Sequence, residues 1–336
     1  MSYSREDLPF IFIVIPTRNS GKTLRKLLES LEMQSYPKDK IEIIVVDGYS
    51  SDNTIRIAKD FGAKVIMNTA RGFYTAKTIG ALSAKGDLIL YLDSDNVVHT
   101  SSWLLDMVEP FLKHNDVVAS EALYYGYSIS YPPIVRYLAL IGSDDPVSVY
   151  LGYYGRYSFL KQRWTDIQLE SKDYGKYILV TLRPGILPTM GANGFMIKSD
   201  VLLRLSIKPY FFDIDIPHEL VSLGYNKIAR VKVKVTHLHA FNYRDFIRKT
   251  YRRVRDFYIY FTKKGVRRFK WVNYDSYKLL KLILGVILII PLISDSIKGY
   301  RRIRDKAWFL NWPLTATVTI IYFIYEILSG FYLIRQ

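Results

Sequence analysis

Short apolar runs alternate with stretches of helical periodicity along the first part of the chain. Phe10–Ile15 is rich in Ile and Val and reads as a strand. Ser20–Met33 follows, with Leu24, Leu27, Leu28 and Leu31 at helical spacing. Ile41–Val46 reads as a second buried strand, and Asp52–Phe61 as a helix capped by Ser51 or Asp52. Lys64–Met67 predicts a short strand, Phe73–Lys85 a helix and Asp87–Leu92 a fourth strand. This alternation predicts an α/β domain with a mostly parallel sheet and helices on both faces. Ligands of such sheets bind at the carboxyl ends of the strands.

The pattern changes in the last third. Leu279–Ile293 is apolar except for Lys281, with Pro291 near its end, and Ala307–Tyr325 is uncharged. The second run is long enough to span a bilayer; the first is short and reads as a span, a re-entrant or interfacial segment, or a buried helix. Arg5, Glu6 and Asp7 precede an apolar run too short for a signal peptide.

Charge sharpens this division. The 336 residues carry a formal net charge of +16 and 49% are hydrophobic, which excludes disorder. Residues 242–306 hold 18 Lys and Arg against five acids, a net +13. A basic band beside apolar runs suits an anionic membrane surface better than nucleic acid. Basic residues at 298–306 oppose the positive-inside tendency if both apolar runs cross as a hairpin. With no cysteine, disulfides and thiolate chemistry are excluded.

Three motifs sit at predicted strand ends. Gly21-Lys22-Thr23 invites a P-loop reading, but Pro16 occupies the position of the first glycine of that motif. Asp47, before a Gly48-Tyr49-Ser50-Ser51 turn, puts a carboxylate where a ribose or base edge could donate to it, although turn chemistry alone could account for it. Asp93-Ser94-Asp95 sets two carboxylates just after an apolar strand, where they need a cation. Hard oxygen ligands suit Mg²⁺ or Mn²⁺. His237 and His239, after the alternating Val231–Val235 strand, are spaced to share a face and reach that metal, or else pack at the rim.

The order Ile15-Pro16-Thr17-Arg18-Asn19, Val46 to Thr54 and Gly86 to Asp95 resembles family-2 glycosyltransferases of GT-A fold, and Gly191-Ala192-Asn193-Gly194 resembles their acceptor-side loop. The membrane-bound C-terminus resembles the cellulose-synthase-like and polyprenol-linked members, including archaeal-type mannosyltransferases. The resemblance implies inverting transfer from a nucleotide sugar, GDP-mannose or UDP-glucose, to a lipid-linked acceptor. It implies that Pro16, Thr17, Asn19, Asp47, Arg71, Lys77 and Asp93 line the donor, that Asp95 with Asp93 binds the metal, and that Gly191, Ala192 and Asn193 face the acceptor. Thr78 stands where the family frequently has Asn. A base at the start of a helix falls on Asp215, with Asp213 second. A base is needed for a hydroxyl acceptor and not for an ionised phosphate, so it tilts the reading from a polyprenyl-phosphate hexose synthase toward a lipid-linked glycan. Of the Gln-x-x-Arg-Trp motif only Arg252 matches, which implies a diphosphate contact and transfer of a single sugar.

The expected organisation is a GT-A catalytic domain over 1–241, on the cytoplasmic side, basic interfacial helices over 242–278 and a membrane region over 279–336. The Tyr-rich stretch Tyr124–Tyr157 is assigned to the acceptor side.

Overall fold

Strand β1 (Ile11–Thr17) is buried along its whole length and forms the axis of the sheet. The computed structural model describes residues 3–185, 187–191, 193–259 and 275–333. The chain divides into two compact units: 1–124 with 169–238, and 125–168 with 239–336.

In the first unit β1 is followed by α1 (Gly21–Glu32), β2 (Ile41–Asp47), α2 (Thr54–Asp60), β3 (Lys64–Met67), α3 (Phe73–Ser83) and β4 (Leu88–Tyr91). Each predicted element is present, with ends displaced by a residue or two. α1 buries Leu24, Leu27, Leu28 and Leu31, the positions its periodicity marked. β5 (Asn96–Val98), α4 (Trp103–Lys113), β6 (Val117–Tyr125), β7 (Glu170–Asp173), β8 (Tyr177–Thr181), β9 (Phe195–Lys198), α7 (Ser199–Leu202), α8 (Ile216–Ser222) and β10 (Lys227–His237) complete it.

The strand order is β3-β2-β1-β4-β9-β6-β10-β8-β7, with β5 paired to β10. β3, β2, β1 and β4 are parallel, and β9 joins β4 antiparallel. The fold class is therefore α/β, with the parallel block at the nucleotide-binding end expected from the first four strands. Gly80 of α3 lies against β1: a Cβ there would stand 2.2 Å from Val14 Cγ1. Gly80→Ala is expected to destabilise the protein by about 1–3 kcal/mol through overpacking, read as a lower Tm.

The second unit contains α5 (Pro133–Ile141), α6 (Pro146–Leu151), α9 (Tyr243–Tyr258), α10 (Ser276–Leu288), α11 (Ile290–Arg302) and α12 (Asn311–Leu333). The Tyr-rich stretch belongs here, in one core of Tyr137, Tyr154, Phe246, Trp308 and Leu314. α9 buries Phe246, Thr250, Val254 and Tyr258 at four-residue spacing and turns Arg244, Arg248, Arg252 and Arg255 outward. Of the expected interfacial band, 260–274 lies outside the described residues. The first apolar run is not one helix. It breaks at Ile289 (φ 63°) into α10 and α11, which are bent by 90°. Lys306–Ile327 is long and apolar enough to cross a membrane, and 44% of its apolar window is buried inside the protein.

Candidate active site

The carboxyl ends of the parallel strands carry three residues in the left-handed region: Asn19 after β1 (φ 52°), Tyr49 after β2 (φ 61°) and Arg71 after β3 (φ 53°). Non-glycine residues seldom adopt this conformation, and such strain gathers at ligand sites. The three loops are tied together around Asp47. Thr17, paired with Asp47 across β1 and β2, donates its hydroxyl to Asp47 Oδ2 at 2.8 Å. Ser50 donates its amide to Oδ1 at 2.7 Å and its hydroxyl to Oδ2 at 2.6 Å. Asp47 is fully buried, so these donors replace the water it lost. The Asn19 backbone amide donates to Ser50 Oγ, and the Asn19 side-chain Oδ1 accepts from the Ser51 amide at 2.8 Å. Pro16 is buried in β1. The Arg71 guanidinium lies 5.0 Å from the Tyr49 ring centroid, a cation–π contact that the sequence did not announce.

The Gly21-Lys22-Thr23 segment opens α1, but a protein carboxylate already receives its amide. The Gly21 N–H donates to Asp52 Oδ2 at 3.1 Å, and Asp52 Oδ1 accepts from the Thr54 amide and hydroxyl. Desolvation raises the Asp52 pKa, but these hydrogen bonds outweigh it and hold the carboxyl below its usual range. Asp52 thus serves the starts of both α1 and α2, which explains the Asp-Asn-Thr sequence without a phosphate.

The Asp93-Ser94-Asp95 turn follows β4. The Asp93 amide donates to Asn96 Oδ1 at 2.9 Å, closing the turn onto β5. Asn96 is opposite His237 in the β5–β10 ladder, and the Leu238 amide donates to the Asp95 carbonyl at 2.8 Å. Sheet pairing thereby brings a distant histidine to the turn: His237 Nε2 is 3.1 Å from Asp95 Oδ1. Asp93, Asp95 and His237 each offer a ligand atom within 4.8 Å of the others. Two carboxylates and an imidazole this close, all partly buried, fit a divalent cation. The other ring nitrogen, Nδ1, is 3.2 Å from Asn193 Nδ2, and Asn96 Nδ2 donates to Asn193 Oδ1 at 2.9 Å. Asn193 Nδ2 can only donate, so Nδ1 accepts and the ring proton lies on Nε2, toward Asp95 Oδ1; ligation of a cation through Nε2 would need that proton on Nδ1 and the Asn193 amide turned to present its oxygen. Asn193, expected on the acceptor side, therefore also orients His237. His239 lies beyond the end of β10, in the second unit, where its ring meets Phe246 edge-on.

The loop of Gly191 and Asn193 is fastened from beneath. Glu121 Oε1 accepts the Gly191 amide at 3.0 Å, and Glu121 Oε2 pairs with Arg230. Both side chains are almost fully buried, at 2% and 0% exposed. Sequence reasoning missed this pair, since neither residue sits in a motif. Removing one member leaves a buried charge, so Glu121→Ala is expected to cost about 3–5 kcal/mol, checked by denaturant unfolding. Ala192 lies outside the described residues.

The Asp213–Asp215 turn precedes α8, with Pro217 in the first helical turn. Asp215 is 5% exposed and its carboxylate makes no capping bond to α8, so a capping role does not account for it. The side chain of Asp213 lies outside the described residues. The segment before the turn is locked to α3 and β4. Phe211 stacks on Tyr91 at 4.8 Å, Phe212 lies 4.5 Å from Tyr74, and Thr78 Oγ1 donates to the Ile207 carbonyl at 2.8 Å. Thr78 is thus an anchor for the turn. Lys77 is buried, with Nζ 4.4 Å from the Phe73 ring centroid. Arg252 is exposed on α9, in the second unit, while its neighbour Arg253 turns inward to Asp145 at 3.2 Å.

Known proteins share this arrangement of sequence and fold. Residues 12–199, more than half of the chain, match the family described as glycosyl transferase family 2. Glycosyltransferase AglE of Haloferax volcanii is 34% identical over 103 residues, which are 29% of this chain and 34% of AglE. A dolichyl N-acetyl-α-D-glucosaminyl phosphate 3-β-D-2,3-diacetamido-2,3-dideoxy-β-D-glucuronosyltransferase of Methanococcus voltae is 35% identical over 88 residues, 24% of this chain and 27% of that protein. The chain therefore matches about a third or less of the length of either relative. Among solved structures, the mannosyltransferase PcManGT of Pyrobaculum calidifontis, in complex with GDP-Man and Mn²⁺, aligns with a TM-score of 0.55 at 16% identity, over 95% of this chain and 87% of its own. The chain belongs to glycosyl transferase family 2 and has a GT-A fold.

Proposed function

We propose that the protein is a membrane-bound, metal-dependent inverting glycosyltransferase that moves one hexose from a nucleotide sugar to a hydroxyl of a lipid-linked glycan or glycolipid. The observation that carries this reading is the Asp93–Asp95–His237 group at the end of β4, in the same unit as the donor-linked loops around Asp47. A mixed oxygen and nitrogen set suits Mn²⁺ better than Mg²⁺, which prefers oxygen alone. A cation held there would neutralise charge gathering on the leaving diphosphate.

The chain's own residues carry the remaining steps. Asp47 helps hold the donor's ribose or base by fixing Thr17 and Ser50, and with them the strand-end loops that border the ligand. Asn19, Arg71 and Lys77 border the donor, and Arg252 is the candidate contact to its diphosphate. Asp215 takes the proton of the acceptor hydroxyl as that oxygen attacks the anomeric carbon, with Asp213 as the second candidate. The sugar–phosphate bond breaks, its electron pair leaves on the nucleoside diphosphate, and the anomeric centre inverts. Gly191 and Asn193 face the acceptor. The basic band and Lys306–Ile327 support attachment to a membrane, with the first unit on the cytoplasmic side.

The donor reading leans to GDP-mannose, the ligand in the PcManGT structure, with UDP-glucose second. A transfer assay with each labelled donor, against a lipid-linked glycan and against bare polyprenyl phosphate, tests this reading. Glycan labelled only from GDP-mannose supports it; transfer to the bare phosphate alone identifies a polyprenyl-phosphate hexose synthase instead. Asp47→Ala removes both acceptor oxygens of a fully buried carboxylate. It is expected to raise the donor KM roughly tenfold or more, by unfastening the Thr17 and Ser50 contacts that set the donor-side loops, with less change in kcat.

A further inference from the structure

We propose that α10 and α11 form a re-entrant wedge that dips into one leaflet of an anionic bilayer and returns to the side from which it entered. The proposal rests on the membrane reading above and goes beyond it by fixing the path of the chain.

The wedge's tip is apolar and exposed. Ile287, Leu288, Ile289 and Ile290, which surround the bend, are 67%, 57%, 40% and 77% exposed. Leu280 and Leu284 extend this face along α10. Single exposed apolar residues are ordinary, whereas a contiguous patch at a sharp bend needs a covering.

Charge identifies what covers it. Lys278 and Lys281 lie on the open end of α10, and Lys298, Arg301 and Arg302, then Arg304 and Lys306, on the open end of α11 and beyond it. Between Lys281 and Asp295 there is no charged residue. Asp275, Asp295 and Asp305 offset three of these seven cations, so both limbs keep a net positive end and meet in an apolar tip, complementary to anionic headgroups over a hydrocarbon layer.

Length decides the depth. At about 1.5 Å per residue, Lys281 to Ile289 spans only about 12 Å, less than half of the roughly 30 Å hydrocarbon core. With the two helices bent by 90°, the pair is too short to be one crossing segment.

The bend is also built for a water-poor setting. A break in a helix frees backbone carbonyls, which are costly in lipid unless bonded. The Val286 carbonyl, whose fourth residue onward is past the break, accepts Trp312 Nε1 at 3.0 Å. The Leu292 carbonyl accepts Asn311 Nδ2 at 3.0 Å and Ser296 Oγ at 3.0 Å. Two side chains at the start of α12 therefore reach a carbonyl on each side of the bend; the one at Val286 is freed by the break, and the one at Leu292, within α11, is a further tie. At the open end, Gly299 lets Trp308 pack on α11: a Cβ there would fall 2.3 Å from the indole. This path also removes the charge conflict of a two-span hairpin, because 298–306 stays on the side it started from.

The chain has no cysteine, so single thiols can report its path. Lys281→Cys, Ile290→Cys, Arg304→Cys and, as a reference on exposed α2, Lys59→Cys would each be reconstituted into sealed vesicles containing anionic phospholipid. A membrane-impermeant maleimide is then applied before and after detergent. The wedge predicts that 281 and 304 label to the same extent as 59, and that 290 labels only after detergent. Labelling of 304 as the complement of 281 would make the pair a crossing segment and overturn the wedge alone. Full labelling of 290 without detergent in vesicle-bound protein would also overturn it. Protein that does not float with the vesicles would overturn the membrane reading and the wedge with it.

Discussion

Asp95→Ala is expected to abolish sugar transfer, lowering kcat/KM by about a thousandfold or more, since a bound cation's charge stabilisation is worth several kcal/mol and about 1.4 kcal/mol makes a factor of ten. Asp95 is the residue through which the site is assembled. Its side chain meets His237 Nε2 at 3.1 Å, and its carbonyl receives the Leu238 amide. The substitution removes the carboxylate and leaves that backbone contact, so the fold should persist. His237→Ala should produce a smaller loss, because two carboxylates remain. Asn193→Ala, which removes the amide that donates to Nδ1, should alter metal binding less than either of these substitutions. Mn²⁺ titrations of the initial rate measure all three. Equal metal dependence in the wild type and Asp95→Ala would remove the site from the mechanism.

The second large effect is expected at Asp215. Asp215→Asn should lower transfer to a hydroxyl acceptor by about 10²–10⁴-fold, the range of a positioned general base. Donor binding should be unchanged, because the substitution keeps the shape of the side chain and the packing of Phe211 and Phe212 that holds the turn. The loss should therefore fall on kcat and not on the donor KM. Asp213→Asn serves as the comparison: if it carries the loss and Asp215→Asn does not, the base is two residues earlier. Undiminished transfer in both variants would point to an acceptor that arrives ionised, such as a polyprenyl phosphate.

The legibility of the site in the sequence followed the range of its contacts. Asp47, Asp93 and Asp95 were visible because each follows an apolar strand, and a strand-end carboxylate is a local signal. The parallel order of the first four strands was readable for the same reason. His237 was visible as a candidate, but its route to Asp95 depends on β5 pairing with β10, and a three-residue strand leaves no periodicity to read. Glu121 and Arg230 lie far apart in sequence, and only the order of β6, β9 and β10 unites them beneath Gly191. The spacing of His237 and His239 suggested a shared strand face, yet β10 ends at His237. In the C-terminal third, composition marked the apolar runs but not the turn at Ile289. Pro291 was the one local signal, and the bend itself is held by Asn311 and Trp312 from the next helix.

The most direct test of the central claim is nucleotide-sugar binding measured with and without Mn²⁺ by calorimetry, on the wild type and on Asp95→Ala. Wild-type protein is predicted to bind GDP-mannose or UDP-glucose tightly with Mn²⁺ and at least tenfold more weakly in chelator, while Asp95→Ala shows the weak binding in both conditions. Equal affinity in chelator and Mn²⁺, unaltered by Asp95→Ala, would contradict a metal-bridged donor site at the end of β4.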